Sequence, residues 1–212
     1  MRLIAENLSA RRGESLLFQG LSFVVEENHA LVVSGPNGSG KSTLLRVVAG
    51  LLAADTGQVR ITGTTAAIVR AGEVCHYLGH RNAMKRELSV SENLAFWQSY
   101  MGKLEDRAGI SVEEAAEKVG LAGITHLPFG YLSAGQQRRM AIAKLLVTWR
   151  PVWLLDEPTA ALDVSADDMF AGLVNAHLNS GGIVIAATHQ PLGITDFSEL
   201  KMTGFVEEEA GW

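Results

Sequence analysis

Gly35-Pro36-Asn37-Gly38-Ser39-Gly40-Lys41-Ser42 matches the pattern G-x-x-x-x-G-K-[ST] at every fixed position. The pattern has a physical purpose. Its glycines let successive backbone N–H groups turn inward as a concave anion nest at the start of a helix. An ammonium at Lys41 can reach the β- and γ-phosphates of a nucleotide, and the Ser42 hydroxyl, followed by Thr43, suits Mg²⁺. Further along, Val152-Trp153-Leu154-Leu155-Asp156 is an apolar run that ends in a carboxylate. Asp156 would hold Mg²⁺ directly or through water, and Glu157 is placed to orient or deprotonate an attacking water. The bland reading is a glycine-rich turn and a buried strand capped by two solvated acids. Finding both patterns in one chain argues against it and for the binding and hydrolysis of ATP with Mg²⁺.

These groups need elements to position them. Ala30-Leu31-Val32-Val33 is a short, fully apolar run, as expected of a strand buried on both faces, and it feeds the glycine-rich loop. From Ser42 to Leu52 leucines and valines recur at helical spacing, and Gly50 or Gly57 marks the exit. Ser22–Val25 reads as a strand, Gln58–Thr62 as an edge strand, and Val152–Leu155 and Ile183–Ala187 as buried strands. From about Glu87 to Gly120 the chain turns polar and helix-favouring, with a capping box at Ser111 and Glu114, and a further helix is expected over Ala134–Thr148. Phe96, Trp97, Tyr100 and Met101 are more apolar than a solvated helix needs; most of this bulk is expected in the core, and part in a groove that receives a helix of a partner chain. The tail Glu207–Trp212 is expected to be solvated.

The bulk numbers exclude several classes. A chain of 212 residues with 47% hydrophobic and 19% charged residues is an ordinary globular composition. A net charge of −5 does not suggest a nucleic-acid-binding surface. The single cysteine, Cys75, rules out an internal disulfide. No apolar run approaches the roughly 20 residues of a membrane helix, and charges at Arg2, Glu6, Arg11, Arg12 and Glu14 leave no apolar signal core in the first residues. The chain is therefore expected to be neither membrane-spanning nor secreted by that route.

Leu132-Ser133-Ala134-Gly135-Gln136 resembles the L-S-G-G-Q signature of ABC ATPases, with Ala134 in place of the first glycine. Ala161-Leu162-Asp163 resembles their D-loop, and His189 falls where their switch histidine belongs. The order of these motifs, from residue 35 to 189, is that of the family. The resemblance implies an α/β fold: a P-loop NTPase core over 1–81 and 141–212, with an antiparallel β edge, and a helical subdomain inserted over 82–140. It also implies a nucleotide-sandwich dimer in which Ser133 and Gly135 of one copy contact the γ-phosphate bound by the other, and a His189 that contacts the γ-phosphate and helps order the site. Integral membrane subunits would be the partners, and the chain would sit peripherally on the cytoplasmic face of the inner membrane. Tyr77–Leu88 followed by Glu92-Asn93-Leu94 is similar to the haem exporter ATP-binding subunit of the bacterial cytochrome c maturation system. A subunit serving another cargo (lipid, peptide or small molecule) is the alternative. A soluble ABC ATPase of DNA repair or translation and a non-ABC phosphate-loop kinase fit less well.

The sequence also departs from the family. His80 stands where most members have a glutamine that touches Mg²⁺, and imidazole suits that hard ion poorly. Its metal role is therefore doubtful. The family's adenine-stacking aromatic is missing near Ala10–Gly13, where Arg12 could stack its guanidinium instead or be simple surface charge. Cys75-His76 lacks haem-attachment spacing and reads as core, so no direct haem binding is expected.

Overall fold

The computed structural model describes residues 1–63, 71–104, 107–190 and 192–204, so the expected solvated tail lies outside them. β1 (Arg2–Arg12) and β2 (Ser15–Glu26) form an antiparallel hairpin, and β4 (Thr56–Thr62) pairs antiparallel with the other side of β1, giving the order β2-β1-β4. β3 (Ala30–Ser34), β5 (Cys75–Leu78), β6 (Val152–Asp156), β7 (Ile183–Ala187) and β8 (Phe197–Lys201) form a second sheet in the order β5-β6-β7-β3-β8. Every pairing in that sheet is parallel. The antiparallel strands expected at the edge of the core thus form a sheet of their own.

Alternation along the central strands divides the apolar residues between two clusters. Val152 and Leu154 of β6, with Ile183 and Ile185 of β7, join the side containing α1 (Lys41–Val48) and the β1–β2 hairpin, where Leu3, Leu8, Phe18, Leu44 and Leu45 are buried. Trp153 and Leu155, with Val184 and Ala186, face the other side, where Leu94, Met140, Ile142 and Phe170 pack. That second cluster is built from α3 (Val90–Met101), α4 (Val112–Lys118), α5 (Ala134–Leu146) and α6 (Val164–Asn179). The short α2 (Ala71–Val74) leads into β5.

Helix ends follow local chemistry. Ser111 and Glu114 make the expected capping box, and the same device starts α3 (Ser89, Glu92) and α5 (Ser133, Gln136). α1 stops at Val48 and Gly50 turns away with φ +69°, so this helix is shorter than its apolar spacing suggests. α5 runs continuously through residue 140, where the sequence reading divides helical insertion from core.

The aromatic group on α3 is a correction in part. Phe96 is 43% and Tyr100 73% exposed, while Trp97 packs partly buried against the core and Met101 is half-buried, so only part of the group belongs to the core. α3 buries Val90, Asn93 and Leu94 instead, while Phe96 and Tyr100 stack on each other at 5.8 Å with Trp97 edge-on to both. β5, α6 and β8 had no sequence expectation. β5 mixes polar and apolar residues, β8 is a mostly exposed edge strand, and α6 buries a thin stripe of Ala166, Phe170, Val174, His177 and Leu178.

Candidate active site

A parallel sheet places all its carboxyl ends on one edge, and ligands of such sheets bind there. β3 leads out at Ser34 to the glycine-rich loop, β6 ends at Asp156, and β7 leads into Thr188-His189. α1 packs across β6 and β7, which brings its first turn to Asp156. There the Ser42 hydroxyl donates to Asp156 Oδ1 at 2.8 Å. A hydroxyl and a carboxylate thus stand together, 114 positions apart in sequence, as a pair of hard oxygen donors.

Lys41 is buried, and its Nζ donates to the carbonyls of Gly35 (2.6 Å) and Pro36 (3.1 Å). Gly35 has φ +139°, and a Cβ there would lie 2.0 Å from the Met202 carbonyl, so no other residue fits. Gly40 precedes α1 with φ +95° and no side chain caps the helix, which leaves its first N–H groups open to an anion. Ser39 Oγ is buried with no hydrogen-bond partner among the described residues. An uncapped helix start and an orphaned hydroxyl beside a lysine fit a phosphate well. Asn37, Gly38, Gly40, Lys41, Ser42, Thr43, Asp156 and Glu157 line one cleft of about 600 Å³.

Glu157 takes the left-handed conformation (φ +45°) directly after the strand, which costs a non-glycine residue on the order of 1–2 kcal/mol. Its N–H donates to Ala187 O at 2.8 Å, tying it to the end of β7. His189 Nε2 lies 3.4 Å from Lys41 Nζ and 3.7 Å from Glu157 Oε1. The one ring nitrogen therefore faces both the phosphate-loop ammonium and the carboxylate, which gathers Lys41, Glu157 and His189 at one point of the cleft.

The signature lies elsewhere. None of Leu132–Gln136 lines the phosphate cleft. Ser133 caps α5, accepting from Gln136 N, and Ala134 is exposed on the first turn, where a methyl is well suited to a helix. Gly135 sits tight against the D-loop: a Cβ there would lie 3.3 Å from Ala161 O, and Ala161 itself has φ +71°. Asp163 caps α6, accepting from Ala166 N at 2.9 Å and from the Ser165 hydroxyl at 2.8 Å.

Comparison with known proteins agrees with this geometry. The ABC transporter family profile matches residues 18–160. The chain is 65% identical over 97% of its length to the cytochrome c biogenesis ATP-binding export protein CcmA of Rhizobium meliloti, covering all of that protein. It is 62% identical to the protein of the same name from Agrobacterium fabrum, over 99% of each. The chain belongs to the ABC transporter ATP-binding family. Its fold matches that of an ABC transporter ATP-binding protein from Pyrococcus furiosus with a TM-score of 0.77, over 95% of this chain and 98% of that one, at 20% identity. As an ABC ATPase it hydrolyses ATP in the service of transport.

Within this ABC ATPase the departures are now located. His80 is exposed and lines the same cleft as Asp156. Arg11, Arg12 and Leu17 line this cleft as well. Arg11 is paired with Asp55 at 3.7 Å, which leaves Arg12 the better placed guanidinium for a base. Cys75 and His76 are both buried in β5, as the core reading expects. His76 Nε2 hydrogen-bonds Thr148 O at 2.8 Å, and burial pushes its pKa down to about 3.

Two contributors were not singled out from sequence. Tyr77 OH donates to Asp156 Oδ2 at 3.1 Å and accepts from Arg46 Nε at 3.3 Å, so it fixes the carboxylate oxygen that Ser42 leaves free. Burial raises its phenol pKa, keeping it a donor. Arg138 is 5% exposed inside α5. Its signal was available: Arg138, Ala141, Ile142 and Leu145 form an i, i+3, i+4, i+7 stripe that is buried throughout, with a charge in an apolar position.

Proposed function

We propose that this chain is the energy-coupling subunit of a haem exporter complex in c-type cytochrome biogenesis. It would work as a nucleotide-sandwich dimer on integral membrane subunits, at the cytoplasmic face of the inner membrane. The observation that carries this reading is the match, along nearly the whole chain, to export proteins named for cytochrome c biogenesis. Among the described residues no helix is long and apolar enough to cross a membrane, so transport requires other chains. The exposed Phe96 and Tyr100 on α3, stacked on each other, offer a surface for a cytoplasmic helix of such a chain. We infer one ATPase domain made of a core (1–81 and 141–212) and a helical part (82–140), with α5 crossing from one to the other.

In the mechanism we propose, Lys41 and the uncapped start of α1 hold the phosphates of ATP. Ser42 Oγ and Asp156, 2.8 Å apart, would hold Mg²⁺, which supplies charge neutralisation when bound. Tyr77 keeps Asp156 oriented. Glu157 orients the attacking water and accepts its proton. His189 keeps Lys41 and Glu157 in register and contacts the γ-phosphate. Because Ser133 and Gly135 stand apart from the cleft of their own chain, the site is completed by the signature of a second copy. Closing two copies on ATP and reopening them after hydrolysis drives the membrane subunits.

Glu157→Gln, introduced in cells, tests both levels. ATP turnover should fall by about 10²–10³-fold, the range for loss of a group acting on the reacting atoms, with ATP-bound dimer accumulating. Staining for covalently attached haem in c-type cytochromes should disappear while the protein remains on the membrane. Normal c-type cytochromes alongside lost turnover would assign the ATPase to another cargo, and unchanged turnover would refute the role of Glu157.

A further inference from the structure

Arg138 has five N–H donors, and the structure gives each an acceptor. Nε donates to Pro158 O at 2.7 Å, and Nη2 to Glu157 O at 2.6 Å and Asp156 O at 3.3 Å. Nη1 donates to Gly79 O at 2.8 Å and reaches Asn82 Oδ1 at 3.5 Å. These acceptors belong to two separate segments: the loop that carries Glu157, and the loop after β5 that carries His80. The donor sits on α5, the helix whose first residues are the signature. One planar, buried side chain therefore joins three motif-bearing segments.

Stability alone does not call for this arrangement. Buried charges are normally paired with a carboxylate, and replacing them by apolar residues is frequently neutral. Here every acceptor but one is a backbone carbonyl. The best-formed contacts fall on Glu157 and Pro158, where the backbone holds the left-handed turn (φ +45° at Glu157) that aims the carboxylate. A fork of fixed geometry suits holding a backbone in a sparsely populated conformation, and a point charge such as lysine does not. Lys144, six residues further along α5, adds a second tie, Nζ to Tyr77 O at 3.3 Å, which anchors the strand before the His80 loop.

We propose that Arg138 is a positioning residue for hydrolysis. It fixes the Glu157 carboxylate relative to the signature helix and to the His80 loop, and so passes a shift of the signature helix on to the attacking-water position. The inference rests on the assignment of Glu157 as the group that handles water.

The test is ATP turnover by the full chain carrying Arg138→Lys, compared with Ile142→Val, a core change one turn along the same helix that does not touch the site. Arg138→Lys should lower kcat by about tenfold, the size expected when a catalytic group is misplaced by a fraction of an ångström, with KM for ATP within about twofold and little loss of Tm. Ile142→Val should leave kcat within about twofold even where its Tm loss is larger. If Arg138→Lys does not fold, Arg138→Gln, which adds no buried charge, is judged on the same kcat-against-KM split. Equal kcat in the Arg138 variant and the control, or kcat and KM moving together in step with Tm, would overturn the proposal. Glu157→Gln measured alongside separates the two ideas. An inactive Glu157→Gln with a fully active Arg138→Lys sinks only this inference, whereas an active Glu157→Gln removes its foundation.

Discussion

On the phosphate face, the contacts that matter join residues far apart in sequence. Ser42 meets Asp156 across 114 positions, and Lys41 meets His189 across 148. On the signature face they are local: Ser133 caps its own helix through Gln136, and Asp163 caps the next through Ala166, each three residues away. The first face is a preorganised pocket that needs the whole parallel sheet to exist. The second is a pair of helix starts that need little beyond their own turn, and can be presented outward without losing hydrogen bonds. The difference separates binding from completion. The phosphate face should hold nucleotide by itself, while the signature face should matter only when two copies meet.

The strongest test of that division is Lys41→Ala. It removes the one buried ammonium of the phosphate loop and should lower kcat/KM for ATP by about 10³-fold, with nucleotide binding lost to the same degree. Binding that survives within tenfold, measured by equilibrium titration with ATP, would show that the helix start alone carries the phosphates.

Ser133→Asp sharpens the other half. Aspartate is as good an N-cap as serine, so α5 and Tm should be unchanged. A carboxylate facing a partner's phosphates should nevertheless lower turnover by about a hundredfold, while ATP binding to the single chain stays within twofold. Weakened binding in the monomer would mean the two faces are not separable.

Acid should affect the scaffold beneath the phosphate face before it affects the signature helix starts. Burial pushes His76 in β5 down to about 3 and His177, stacked at 4.1 Å on Trp153 of β6, down to about 4. Both lie below the ordinary value of 6.5, so the unfolded chain takes up protons that the folded chain refuses. Stability is then full above pH 6.5 and declines as the pH falls toward 4, by roughly 1 kcal/mol per pH unit for each ring. Urea unfolding at pH 7.5 and 5.5 should show a loss of about 3 kcal/mol, and His177→Phe, which keeps the stack, should remove about half of it. A pH-independent midpoint would show that neither ring opposes protonation in the fold.

What could be read in advance follows the same division. The phosphate loop, the apolar strand ending at Asp156, and the capping boxes are all short-range patterns. Backbone conformation, strand burial and helix starts are decided within a few residues, so the sequence announces them. Tyr77 and Arg138 were hidden for the opposite reason. Nothing near Tyr77 in the chain indicates that β5 lies beside β6, and only that pairing, Tyr77 opposite Leu154, brings the phenol to Asp156. Which of the α3 rings face out was not legible, because apolar bulk is a local property, whereas the buried face of α3 is set by what packs against Leu94.

By itself the sequence determined that this chain binds phosphate, carries two acidic residues at the end of a buried strand, and bears the signature of an ABC ATPase. Those are properties of residue type and spacing over a few positions. Only the tertiary structure decided that the parallel order β5-β6-β7-β3-β8 sets Ser42, Tyr77, Asp156, Glu157 and His189 on one edge, and that Arg138 ties the signature helix to them. Strand order and side-chain reach across a sheet depend on which surfaces exclude water together, and that is settled by the folded chain as a whole.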